Sequence, residues 1–178
     1  MSSRLENDGH ARQGSVKAAV GVAEVPDSAL ALTSLPVIDY ADQFTLSTNL
    51  RATPEQWARA MFGDVPSIAE RFIWQALLGL RLLPGPSRSA VAGWRIADGG
   101  SDWIRLEASG PMVGNLVVRT ASGQVSLTTL IHYVRGRGRM VWPRLSAVHR
   151  LLAPGLLRDA ATAIATHPEP AGTAYPKV

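Results

Sequence analysis

The sequence predicts an α+β fold: an antiparallel sheet with two short helices after its first strand and a long C-terminal helix packed on the sheet. The first observation is an alternation of apolar and polar residues over 43–50, which is typical of a half-buried strand. The second is a series of four strand-like segments between 90 and 135, separated by short turns. The third is a run of apolar residues spaced by threes and fours from 141 to 164, which indicates a helix.

Length and composition favour one compact domain. The chain has 178 residues, of which 46% are hydrophobic and 18% are charged, so it holds enough apolar side chains to form a core. The absence of cysteine excludes disulfide scaffolds, thiolate zinc sites, iron–sulfur clusters and cysteine nucleophiles. We expect a mobile N-terminal arm over 1–35, a single domain over 36–166 and an irregular, proline-containing tail over 167–178.

Targeting and charge signals are weak. No apolar run approaches the roughly 20 residues of a membrane span, and no signal-peptide pattern is present, so a cytoplasmic location is expected. Residues 108–166 hold seven arginines and one acid, a net charge of +6. Solvated arginines on a strand and a helix explain this excess, and binding of an anion is the alternative. No helix-turn-helix, zinc-finger or ribonucleoprotein motif accompanies it, so no sequence-specific nucleic-acid partner is expected.

Two helices are expected after the first strand, which is predicted over 43–50. Thr53 is a good N-cap, and Pro54 occupies the first helical position of a short helix that ends near Gly63. Ser67 with Glu70 forms the capping-box pattern of a second helix, which continues to Pro84.

The middle of the chain is predicted to be a meander of four strands over 90–97, 102–109, 112–120 and 124–135. Short connections rich in glycine, serine and proline separate these strands. In the last strand the odd-numbered residues form an apolar face, and Leu130 is the exception on the polar face.

The final segment is predicted to be a long helix that opens at Trp142-Pro143 and covers the apolar face of the sheet. Pro154-Gly155 lies inside this pattern, where it is expected to kink the helix or to split it into two pieces. The short segment Gly136-Arg137-Gly138-Arg139 before it is interpreted as a tight turn, because it lacks the glycine pattern of a dinucleotide site and the lysine of a P-loop. The alternative is that its backbone and arginines bind an anion.

Three segments carry a resemblance to a known superfamily. They are Asp39-Tyr40-Ala41-Asp42-Gln43-Phe44, Thr53-Pro54-Glu55-Gln56-Trp57-Ala58-Arg59-Ala60-Met61-Phe62, and Gly138-Arg139-Met140-Val141-Trp142 together with His149-Arg150. With the order of the elements, they resemble the START-like, or SRPBCC, superfamily and its helix-grip fold. Within it the chain is similar to a bacterial family described only as a domain of unknown function. The resemblance covers roughly residues 37–165.

The resemblance implies a curved sheet around the last helix, with an apolar cavity between them. Members with this architecture bind lipids, steroids, polyketides or hormones, and some are cyclases or hydroxylase components. We therefore expect a non-catalytic protein that binds a small hydrophobic or amphipathic molecule, with no cofactor and no metal. One alternative is a cyclase- or hydratase-like enzyme that uses His149 with Tyr133 as acid and base. The other is a protein-interaction module that uses Trp103 and the basic stretch.

The residues expected to line this cavity are apolar or aromatic, with one histidine. They are Trp94, Ile96, Leu106, Leu127, Ile131, Tyr133, Trp142, Leu145 and His149. His149 lies beside the apolar stripe of the helix, where it either supplies a hydrogen bond at the cavity edge or pairs with a backbone group. His132 lies opposite the predicted core face and is expected to be structural or exposed. No catalytic residue is assigned.

Overall fold

The computed structural model of the protein describes residues 14–64, 75, 79–121, 123–134 and 136–166, apart from the side chain of Arg137. The strands are β1 (Val16–Val20), β2 (Tyr40–Ser47), β3 (Ala90–Val91), β4 (Trp94–Gly99), β5 (Trp103–Ser109), β6 (Val113–Ala121) and β7 (Gln124–His132). The helices are α1 (Asp27–Leu30), α2 (Pro54–Phe62) and α3 (Gly136–Thr166). The predicted tail over 167–178 lies outside the described residues, as do residues 67–74 and 76–78 of the second predicted helix. Residues 79–84 are described and are not helical, since Gly79 has a positive φ and Arg81 forms an isolated β-bridge with Ser109, so the predicted continuation of this helix to Pro84 is wrong.

The seven strands form one antiparallel sheet in the order β1-β2-β7-β6-β5-β4-β3. The four meander connections make neighbours of consecutive strands, as expected from their short turns. β2 pairs with β7, although about 80 residues separate them in the chain, with Phe44 opposite Leu127. The α+β class, the antiparallel sheet and the C-terminal helix packed on it are therefore confirmed.

The first strand of the predicted meander is interrupted. Ala92 and Gly93 both have positive φ, and they form a turn between β3 and β4 where the sequence predicts one strand over 90–97. A side chain at Gly93 would meet the Cβ of Leu82 at 2.9 Å. Glycine is therefore required here by the backbone conformation and by the close packing.

Helix α2 begins as its sequence predicts. The Thr53 hydroxyl accepts a hydrogen bond from the backbone N–H of Gln56, and the Gln56 side chain accepts one from the backbone N–H of Thr53. This reciprocal capping satisfies two N–H groups that have no partner within the helix. The apolar stripe of α2 is then fixed on the sheet, with Trp57 and Ala58 fully buried.

The main core lies between one face of the sheet and the two helices α2 and α3. Alternate residues of the strands point to this inner face, among them Phe44 and Leu46 of β2 and Leu106 of β5. Helix α3 contributes Trp142 and Leu157 to the same core. The alternation therefore decides which face of the sheet the helices cover.

A second, smaller core lies on the outer face of the sheet, and residues of the predicted N-terminal arm belong to it. Residues 14–35, predicted as part of a mobile arm, form β1, α1 and the segments that join them to β2. Ala29 of α1 packs on the sheet together with Val25 before this helix and Leu35 after it. Leu130, the exception in the predicted alternation, is fully buried beneath them. An apolar residue at this position is explained because the outer face of the sheet is covered here, like the inner face.

Hydrogen bonds from Asn115 hold this outer layer in place. Its Oδ1 accepts from the Thr33 hydroxyl at 2.7 Å and from the Ser34 backbone N–H at 3.0 Å. Its Nδ2 donates to Glu107 at 3.3 Å, and the Ser34 hydroxyl also contacts Glu107. Asn115 is fully buried, so these partners replace the water that its amide loses.

Helix α3 starts earlier than predicted and is not divided. Gly136-Arg137-Gly138-Arg139 forms its first turn, so the prediction of a tight turn there is wrong. A glycine-rich start can be helical because the packing of later residues, such as Trp142, stabilises the helix. The helix continues through Pro154 as one element to Thr166.

Candidate functional site

A cavity of about 380 Å³ lies between the inner face of the sheet and α3. Its lining is mostly apolar, with Thr129, His149 and Asp159 as the polar exceptions. The lining residues are Phe62, Leu80, Trp94, Met112, Gly114, Leu116, Thr129, Ile131, Trp142, Leu145, Val148, His149, Leu152, Gly155, Leu156 and Asp159.

Helical spacing and one glycine position the walls of this cavity. On α3 the lining residues recur every three or four positions, so a single face of the helix borders the cavity. On β6, Gly114 lies beneath the Trp94 ring, and a Cβ there would be 3.0 Å from it. The missing side chain therefore lets the indole lie against the strand.

The polar end of the cavity is built around His149. Its Nε2 lies 3.1 Å from the Thr129 hydroxyl oxygen and 3.3 Å and 3.4 Å from the two carboxylate oxygens of Asp42. Asp42 has no exposed surface, whereas the His149 side chain is 21% exposed. A carboxylate buried this completely needs partners from the protein, and His149 is one of them.

Tyr40 is the second partner of Asp42. Its hydroxyl donates to Asp42 Oδ2 at 2.5 Å. Burial raises the pKa of Tyr40, and the hydrogen bond to Asp42 and its charge raise it further, while Arg150 acts in the opposite direction. Tyr40 therefore stays protonated and remains a donor to the carboxylate at all ordinary pH values.

Trp142 packs between Tyr40 and His149. The Trp142 ring centroid is 5.2 Å from that of Tyr40 in an edge-to-face contact and 5.8 Å from that of His149. Trp142 is 6% exposed, and its Nε1–H has no acceptor among the residues that the structure describes. A buried indole N–H usually has a hydrogen-bond partner, so this donor is unusual.

A separate polar cluster surrounds Asp39, the residue just before β2. Its Oδ2 lies 2.8 Å from the backbone nitrogen of Tyr133 and 2.9 Å from Nδ1 of His132. The hydrogen bond from the Tyr133 N–H lowers the pKa of Asp39 against the effect of burial, and His132 and Arg139 lower it further. His132 thus has the structural role that the sequence predicts.

Tyr133 belongs to this cluster and not to the cavity lining. The Arg139 guanidinium lies 5.9 Å from the Tyr133 ring centroid, a cation–π contact. Burial raises the pKa of the Tyr133 hydroxyl, and the charge of Asp39 adds to this.

The structure separates the nine residues that the sequence places at the cavity into two groups. Five of them line it: Trp94, Ile131, Trp142, Leu145 and His149. The other four lie elsewhere among the described residues: Leu106 and Leu127 are fully buried in the core, Ile96 packs at its edge, and Tyr133 contacts Arg139. Ile96, Leu106 and Leu127 all pack in or against the core on the inner face of the sheet, as their alternation predicts. The alternation does not indicate how far along each strand the cavity extends.

Sequence reasoning missed the polar partners of His149, although a signal for them exists. Asp42 has the same parity as Phe44 and Leu46 in β2, and Thr129 has the same parity as Leu127 in β7. A polar residue in the inward register of an apolar strand must find a partner inside the protein. That mismatch could have identified both residues.

The described residues show neither a metal-binding cluster nor a membrane-spanning helix. No group of three or more histidine and acidic side chains that could hold a metal ion was found. None of the helices in the described ranges has both the length and the apolar character of a membrane span. Comparison with protein-family models, curated proteins and solved structures found no match for this chain.

Proposed function

We propose that this protein binds a small hydrophobic or amphipathic molecule, without transforming it, in the cavity between the sheet and α3. The observation that carries the proposal is a space of about 380 Å³ with a largely apolar lining between the sheet and α3. Ligand sites are typically concave, mostly apolar and furnished with a few polar groups, and their volumes start near 300 Å³. The arrangement supports the helix-grip architecture that the sequence resemblance implies.

An apolar ligand in this cavity gains free energy from the surface that it removes from water, about 25 cal/mol per Å². Five of the nine residues expected from the sequence line the cavity, and Trp94 and Trp142 add flat apolar surface. The single histidine gives the cavity one polar end. This combination favours an amphipathic ligand over a purely polar one.

The contacts give less support to the two alternatives. An enzyme that uses His149 with Tyr133 needs those side chains together, but His149 contacts Thr129 and Asp42 while Tyr133 contacts Arg139. An interaction module would need an accessible outer face, but N-terminal residues pack on part of that face.

A titration with the neutral fluorescent dye N-phenyl-1-naphthylamine tests the proposal. The matched variants are Leu145→Trp, which adds an indole to the cavity wall, and Leu151→Trp, which makes the same change on the solvent side of α3, where Leu151 is 79% exposed. We expect saturable binding of one dye per chain to the wild type and to Leu151→Trp. Leu145→Trp should weaken it by at least tenfold.

Two results would refute the proposal. One is the absence of saturable dye binding to the wild type, together with a native mass spectrum that shows only the mass of the bare chain. The other is equal weakening, or no weakening, in both variants, since the dye would then bind outside the cavity. Urea denaturation of each variant shows that it is folded before the titration.

A further inference from the structure

The polar end of the cavity leaves one hydrogen-bond acceptor unused, on His149. Its Nε2 is directed at the Asp42 carboxylate, which only accepts hydrogen bonds, so Nε2 carries the proton in the neutral ring. Nδ1 is then the lone-pair nitrogen, whereas the hydrogen bonds and the ion pair shown for this ring all involve Nε2. His149 lines the cavity and its side chain is 21% exposed, so a ligand in the cavity would replace water at this acceptor.

The same end leaves one donor unused, on Trp142. This residue also lines the cavity, and its buried Nε1–H lacks an acceptor among the described residues. Leaving such a group unpaired is unfavourable, and an acceptor on a ligand would remove that cost. The Trp142 and His149 rings are adjacent, with centroids 5.8 Å apart, so one small group can interact with both.

The charges around this end exclude several ligand groups. No lysine or arginine is among the described lining residues, so a carboxylate or phosphate in the cavity would meet the negative charge of Asp42 behind His149 without a cation in that lining. Arg150 acts on Tyr40, the other partner of Asp42, and is not part of the described lining. A ketone accepts but cannot donate, so it would leave His149 Nδ1 unpaired. An ammonium group donates but cannot accept, so it would leave the Trp142 N–H unpaired.

Asp159 is the only acidic side chain in the described lining of the cavity. It lies ten residues beyond His149 on α3, about 15 Å along the helix, with Leu152 and Leu156 between them. Apart from Thr129, which contacts His149 Nε2, the described lining around the pair formed by His149 and Trp142 is therefore apolar.

We propose that the group recognised at this end is a neutral hydroxyl, alcoholic or phenolic, which donates to His149 Nδ1 and accepts from Trp142 Nε1–H. The rest of the ligand is apolar. This inference rests on the proposed function, since it specifies which ligands the cavity prefers.

The test compares 2-naphthol with 2-methylnaphthalene by equilibrium dialysis at pH 7. The two probes have nearly the same shape and differ in a hydroxyl and a methyl group. A merely apolar cavity prefers the methyl compound, because burial of the extra methyl group is favourable. We expect 2-naphthol to bind about fivefold more tightly, since two buried hydrogen bonds outweigh the methyl group.

Trp142→Phe removes the N–H and keeps an aromatic ring at the cavity wall. It should abolish the preference for 2-naphthol while 2-methylnaphthalene still binds. Trp103→Phe is the matched control: Trp103 lies on β5, outside the cavity lining, and the preference should be unchanged. A preference that survives Trp142→Phe overturns the assignment of the donor.

The remaining outcomes separate the two proposals. Binding of both probes with equal affinity, or tighter binding of 2-methylnaphthalene, overturns this inference and leaves the proposed function standing. No binding of either probe counts against the proposed function itself. If Trp142→Phe binds neither probe, ¹⁵N chemical shifts of His149 in the wild type decide: a shift at Nδ1 on addition of 2-naphthol supports the inference, and an unchanged Nδ1 overturns it.

Discussion

Replacement of Asp42 by alanine tests whether the buried carboxylate organises the polar end of the cavity. Asp42 is fully buried and interacts with the Tyr40 hydroxyl and with His149 Nε2. Its removal leaves the Tyr40 hydroxyl without this acceptor and leaves His149 with Thr129 alone.

The expected loss follows from these contacts. Two hydrogen bonds to a charged group contribute about 1.5–3 kcal/mol each, and release of the buried charge offsets part of that sum. We therefore expect Asp42→Ala to lower the free energy of unfolding by about 3 kcal/mol. Asp42→Asn keeps the shape and one acceptor oxygen, so it should lie between alanine and the wild type.

The measurement is urea denaturation at pH 7, followed by tryptophan fluorescence. Asp102→Ala is the matched control, because the Asp102 side chain is 45% exposed and pairs with Arg119 at 3.1 Å. An exposed ion pair contributes little, so this control should lose less than about 1 kcal/mol. Equal losses in the two alanine variants would refute the claim that Asp42 is a structural centre of the site.

Two further predictions concern the outer layer and the response to acid. Asn115→Ala should lower the free energy of unfolding by about 2–3 kcal/mol and speed amide hydrogen exchange over 21–38, because the Thr33 hydroxyl, the Ser34 N–H and Glu107 each lose a partner. Asn49→Ala is the control: Asn49 is exposed, so neither quantity should change. Exchange in Asn115→Ala that stays as slow as in the wild type would contradict the argument. The pKa of Asp39 is lowered in the folded protein, so its carboxylate stabilises the fold above its ordinary value of 3.8, and this contribution is lost as the pH falls through the lowered folded value. Denaturation of the wild type and Asp39→Asn at pH 7, 4 and 3 should show a difference that shrinks with acid, and a constant difference would exclude the mechanism.

Local patterns in the sequence were sufficient for most of the elements. The capped start of α2 at Thr53 depends on residues within one helical turn, and the alternation in β2 and β7 depends on residues two apart. These signals do not need the rest of the protein. They failed where packing overrides propensity, as at Gly136 in the first turn of α3.

The candidate site was only partly predictable for the same reason. His149 and Trp142 belong to a helix whose apolar stripe is visible in the chain, and both were expected at the cavity. Their partners are far away in sequence: Asp42 precedes His149 by 107 positions, and no local rule connects them. The mismatch of Asp42 with its apolar neighbours is a signal that sequence reasoning missed, and it indicates only that a partner is needed, not which one.

The sequence by itself determined the class of the fold, the identity of most strands and helices, and the face of each that turns inward, since these depend on periodicity, caps and turns. Only the tertiary structure decided that the N-terminal residues cover the outer face, how far the cavity extends, and that Asp42 and Thr129 meet His149. Such contacts come from the pairing of β2 with β7 and from the packing of α3 across them. They join distant parts of the chain, and their stability depends on the whole core.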